Sequence, residues 1–147
     1  MNLTFEQKYH LVTKIFRKIR DPLDLDEIMS LLLDSIQTVV PYDAAGVFVL
    51  NQDLVTNKRG PLVNKIAGMC LRGYEPRPIS EDEMLAHGKG ITGYVIQSGQ
   101  SLVAPDVHRD QHYIEARAST RSEIAVPILL NDRAFGALNL ESDDLDA

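Results

Sequence analysis

Apolar residues return at steps of four and three near the start of the chain: Phe5, Tyr9, Val12, Phe16 and Ile19 share one face, behind a Thr4-x-x-Gln7 capping box. The spacing predicts an amphipathic helix to about Arg20. Asp21-Pro22 ends it, because proline pushes the preceding residue out of the helical region. Its stripe suits packing on its own domain and a seam against a second copy equally well. A second helix opens at Asp24-x-x-Glu27, carries Ile28, Leu31, Leu32, Ser35, Ile36 and Val39 on one stripe, and stops at Pro41.

The pattern then changes. Ala44 to Leu50 is continuously small and apolar, as in a central strand covered on both faces. Asn51 to Pro61 reads as a loop and Leu62 to about Leu71 as the next strand. Gly73 to His87, with Pro76 and Pro78, reads as an exposed excursion holding one short helical turn. Gly88 to Gln100 passes from a glycine-rich turn into a short helix, with Thr92 placed to cap its start and Gly99 to close its end. Ser101 to Ala104 is a brief strand before Pro105. The polar run Asp106 to Asp110 follows, and Gln111 to Arg117 suggests a further short helix.

Ser122 to Leu130 and Arg133 to Glu141 are strands joined at Asn131-Asp132, two residues that tolerate the positive φ of a tight hairpin. The sum is an α+β domain with a central, mostly antiparallel sheet. The N-terminal helices lie on one face, and a helix-and-loop lid covers a pocket on the other.

Several motifs carry a resemblance. Gly90-Ile91-Thr92-Gly93 with Val95, Leu102-Val103 ahead of Asp106-Val107, Ser122 to Ile128, and Phe135-Gly136-Ala137-Leu138-Asn139-Leu140-Glu141 resemble a GAF domain from about Leu25 onward. The resemblance implies a sensory or regulatory module of a signalling protein, in which a C-terminal helix usually follows the last strand. Residues 1–22 are then expected to be a linking or dimerising helix, and residues 23–147 a GAF-like domain of a longer protein with its output domain beyond this chain.

Composition narrows the partners. A net charge of -6 over 147 residues, with no Lys/Arg cluster, disfavours nucleic acid. No run approaches the ~18 apolar residues of a spanning helix, so no membrane insertion of this segment is expected. The single cysteine, Cys70, excludes an internal disulfide and fits a reducing cytoplasm. Set between Met69 and Leu71, it reads as a core thiol.

Candidate chemistry centres on the lid. Tyr94 on the helix, Asp106 and His108 after the short strand, Tyr113 on the next turn, and Ser122 with Glu123 at the hairpin entrance are the expected ligand-binding residues, each as well explained by a structural hydrogen bond. His108 and His112 stand four apart, yet without an HExxH pattern they read as solvated loop residues, and no metal is expected.

The resemblance brings further tests. Cyclic-nucleotide-binding members carry an Asn-Lys signature that Asp106 to Tyr113 lacks, bilin-binding members a cysteine in this region that is absent, and no motif supports haem. Members that reduce free methionine sulfoxide use pocket cysteines as nucleophile and resolving partner. The expectation is therefore a non-catalytic domain that senses a small molecule and pairs as a homodimer through its terminal helices. The alternatives are a free methionine sulfoxide reductase-like enzyme using Cys70, and a scaffold without ligand.

Overall fold

The computed structural model describes residues 4–18, 24–50, 66–74 and 89–147. Helix α1 (Phe5–Lys18) and helix α2 (Leu25–Gln37) precede strand β1 (Ala44–Leu50) and strand β2 (Ile66–Arg72). Helix α3 (Gly90–Ser98), strand β3 (Leu102–Ala104), a 3-10 turn (Val107–Arg109), strand β4 (Ser122–Leu130) and strand β5 (Arg133–Ser142) complete the chain. The strands form one sheet in the order β2-β1-β5-β4-β3, every pair antiparallel. The α+β architecture with a central antiparallel sheet, expected from the sequence, is the one observed. The expected loop Asn51 to Pro61, residues 62–65 of the expected strand and residues 75–88 of the expected excursion lie outside the described residues.

Both helix starts are written as expected. Thr4 and Gln7 exchange reciprocal side-chain to backbone bonds at 2.9 and 3.2 Å, and Asp24 Oδ1 accepts from the Glu27 N–H at 2.8 Å. The stripe of α2 differs from the expected one. Met29, Leu33, Ser35 and Ile36 are buried, whereas Ile28, Leu31, Leu32 and Val39 are half-buried, because the sheet takes the line at i, i+4 and i+7 and leaves the flank to α1 and solvent.

Helix α3 begins at Gly90 with Lys89 as its cap and no side-chain bond, so Thr92 lies buried inside the helix rather than capping it. Gly99 closes it as expected, at φ 68° with its N–H on the Val95 carbonyl at 2.9 Å. Gln111 to Arg117 forms turns instead of a helix. Asp106 and Asp110 each take the backbone N–H two residues ahead, at 3.1 and 2.7 Å, and these local bonds compete with helical ones.

Strand alternation divides the core into two layers. On one face Phe48, Leu50, Ala125 and Ala137 pack beneath Ile91, Val95 and Ile96 of α3 and against Val107; on the other Ala45 and Val47 pack with Met29, Leu33 and Ile36 of α2. Central β1 is covered on both sides, which explains its unbroken apolar run. Asn131 and Asp132 turn the β4–β5 hairpin at φ 51° and 61°, as their residue types suggested. Among the described residues no helix is long and apolar enough to cross a membrane.

Candidate functional site

The α3 face of the sheet is apolar except where β4 meets β5. Glu123 of β4 stands opposite Glu141 of β5, and Asn139 opposite Ala125, so three polar side chains project together on that face. They are 7%, 4% and 1% exposed. Glu141 accepts from the Tyr74 hydroxyl, from Thr120 Oγ1 and from Asn139 Nδ2, the last at 3.2 Å. Glu123 receives only a long bond of 3.5 Å from the same Nδ2. Asn139 Oδ1 is buried and has no hydrogen-bond partner.

The electrostatics follow from this uneven supply of donors. Burial pushes the Glu123 carboxyl up to about 8, and the charge of Glu141 and then of Asp110 add to it, with the Asn139 bond opposing. Glu123 therefore holds its proton at neutral pH. Burial likewise raises Tyr113 to about 12, assisted by Glu141 and Glu123, and lifts Tyr74 well above the usual phenol range. Arg117, a cation close enough to feel Glu141, is held by both nitrogens against Asp143.

The expected ligand residues separate into groups. Glu123 and Tyr113 belong to this cluster, and Tyr94 borders it from α3, its ring stacked on His112 at 4.1 Å between centroids. Asp106 caps the 3-10 turn and His108 is exposed beside it, with ring nitrogen and carboxylate 3.7 Å apart. Ser122 does not join them. One residue from Glu123 in a strand, it projects to the opposite face and donates to the Asp144 carbonyl at 2.7 Å. Sequence reasoning passed over Tyr74, Thr120, Asn139 and Glu141 as site residues. The available signal was polar residues at 139 and 141 on the same side as Ala137, alternating with Leu138 and Leu140.

Cys70 lies away from the cluster. In β2 it pairs with Val47 and packs, half-buried, on the α2 face, with its sulfur 3.3 Å from an Arg72 guanidinium nitrogen. It is the sole cysteine of the chain, so no thiol of this chain stands among Glu123, Asn139 and Glu141. Among the described residues no group of His, Cys, Asp and Glu side chains is arranged to hold a metal ion.

The α3 face of the sheet thus carries a buried polar cluster beneath a covering helix, in an α+β domain. The family model for the GAF domain matches residues 24–146, and the chain belongs to that family. It is 31% identical over 65 residues to a free methionine-R-sulfoxide reductase of Saccharomyces cerevisiae, covering 44% of this chain and 36% of that protein. To the Escherichia coli protein of the same description it is 28% identical over 98 residues, 67% of this chain and 50% of the relative. The chain thus spans half or less of the length of these curated relatives.

Among solved structures, the free methionine-R-sulfoxide reductase of Neisseria meningitidis in complex with its substrate matches at TM-score 0.70 and 17% identity, covering 99% of this chain and 80% of that one. That level of identity shows a shared fold. The expectation of a non-catalytic domain is corrected by these findings, since the relatives are described as enzymes. The expectation had rested on counting cysteines, which weighs one element of the chemistry and leaves the retained scaffold out.

Proposed function

We propose that this chain is an enzyme of the free methionine-R-sulfoxide reductase type, which takes a free amino-acid sulfoxide at the Glu123–Asn139–Glu141 cluster. The observation that carries the reading is this buried polar cluster on the α3 face of a fold shared with such reductases. In the reaction two thiols become one disulfide, the sulfoxide becomes a thioether, and the oxygen leaves as water with the two thiol protons. The reducing thiols come from outside the site, because Cys70 occupies the opposite face. A reducing compartment such as the cytoplasm would supply them, and the lone cysteine of the chain suits one.

Turnover of free methionine sulfoxide with dithiothreitol tests the reading. We expect it to fall at least tenfold in Glu123→Ala and to stay within twofold in Cys70→Ser. Absence of both turnover and calorimetric binding at millimolar substrate would overturn the assignment, and loss of turnover in Cys70→Ser would overturn the exclusion of that thiol.

The homodimer is proposed on a separate observation. Phe5, Tyr9 and Val12 are 83%, 65% and 50% exposed, leaving the apolar stripe of α1 open along the part whose side chains are described. Sedimentation should show a dimer for the native chain and a monomer for a Phe5→Glu, Tyr9→Lys variant. A monomer in both forms rejects the seam.

A further inference from the structure

Two apolar surfaces on the same side of the molecule lie open. The first is the stripe of α1, a helix that packs against α2. Helical residues turn by about 100° each, so the half-buried Leu11 stands about 100° or more round the axis from Phe5, Tyr9 and Val12. Those three stay exposed, and the stripe therefore faces away from the domain that carries it.

The second surface is the α2 side of β3 and β4. Val103 pairs with Ile124 and Ile124 with Leu140, so the three form one row across β3, β4 and β5. Ala104 and Ala125 pack in the layer beneath α3, and alternation puts Val103 and Ile124 on the other face. Helix α2 lies over β1 and β2, and Leu140 is half-buried in its layer. Exposure rises outward along the row, to 37% at Ile124 and 63% at Val103. A groove of about 420 Å³ follows the row and is lined also by Val40, Tyr42 and Asp146.

The two surfaces differ in charge. The sequence of α1 holds Lys8, Lys14, Arg17 and Lys18 against one acid, Glu6. From Glu141 to the last residue the chain holds Glu141, Asp143, Asp144 and Asp146 and no base. Asp144 and Asp146 are exposed, and Asp146 borders the groove. A basic amphipathic helix and an apolar groove with an acidic rim are complementary, whereas two copies of α1 laid together bring like charges face to face. The acids also make the groove a poor match for an anionic lipid surface.

We propose that the stripe of α1 docks into the β3–β4 groove of a second copy, whose own α1 returns into the groove of the first. This rests on the homodimer proposed above and names the surface that receives the helix. A two-fold axis makes the contact twice, which covers both apolar surfaces of both chains at once. Because both surfaces lie on the α2 side of the sheet, two copies meeting through that side bring each helix over the other's groove. The receiving row lies on the back of β4, and the front of that strand carries Glu123. Assembly thus braces a strand of the polar cluster.

Crosslinking and sedimentation of the whole chain test this. In a Cys70→Ser background, a Tyr9→Cys protein mixed with a Val103→Cys protein should be joined by a short bismaleimide, and neither should be joined to itself. Val103→Glu with Ile124→Glu, with folding checked by circular dichroism, should weaken the dimer at least tenfold. Val103→Glu alone, at the more exposed position, should weaken it at least threefold.

Crosslinking of the Tyr9→Cys protein to itself, with none in the mixture, would overturn the docking and leave a dimer built from two copies of α1. Glutamate variants that fold and dimerise as the native chain does would overturn it as well. A native chain that sediments as a monomer removes the dimer and the docking together.

Discussion

Between pH 5 and pH 9 the chain should lose stability through Glu123 on the order of 4 kcal/mol, and Glu123→Gln should abolish most of that loss. The sign follows from which state holds the proton. The carboxyl of the unfolded chain gives up its proton near 4.5, whereas the folded one keeps it to about 8. Across that interval the native state binds more protons, so stability falls as pH rises. Below it both states are protonated and the group contributes nothing. Above it the full cost of a buried carboxylate beside Glu141 is present.

Urea denaturation of both proteins at a series of pH values isolates this group from the other titrating residues. The glutamine variant should match the native chain near pH 5 and exceed it by about 3 kcal/mol or more near pH 9. A difference between the two that does not change with pH would sink the claim. The same glutamate that belongs to the proposed binding cluster is thus a liability to the fold. Binding residues often stand in this relation to stability.

Gly136→Ala should cost about 3 kcal/mol. A Cβ there would lie 2.3 Å from the Phe48 carbonyl oxygen, a backbone atom of the neighbouring central strand that no rotamer change can move. Relief requires β5 to shift away from β1. Because β5 carries Asn139 and Glu141, the shift disturbs the site as well as the core.

Gly99→Ala is the control. Its φ of 68° disfavours a side chain, yet nothing lies within 4 Å of the added atom, so the cost should stay near 1 kcal/mol. Thermal unfolding of the pair should rank Gly136→Ala clearly lower. Equal melting temperatures would mean that backbone conformation, and not the close approach of two strands, decides why these glycines are required.

The candidate site was only half legible in the chain. Glu123 and Tyr113 were expected near a ligand, and they do stand in the polar cluster. Ser122 was expected beside Glu123, although alternation within a strand sends the two to opposite faces. Asn139 and Glu141 were noticed only as parts of a family resemblance. Their importance depends on the register of the hairpin, which sequence does not display. Starting from Leu130 opposite Arg133, an unbroken ladder would place Glu123 opposite Leu140. The irregularity between Ile128 and Leu129 moves the pairing by one residue and sets Glu123 against Glu141.

By itself the sequence determined the elements and their class. Periodicity located α1, α2 and β1, local hydrogen bonding wrote the caps at Thr4 and Asp24, and two residues able to adopt positive φ made the final hairpin. These properties are local, so neighbours in the chain suffice to specify them. The tertiary structure alone decided that Cys70 lies on the face away from the acids. It alone decided that one bulge pairs two glutamates, and that Gly46 preserves an unsatisfied amide oxygen. Each of those outcomes is a relation between strands, fixed by register and by which face is buried, and no single stretch of residues contains it.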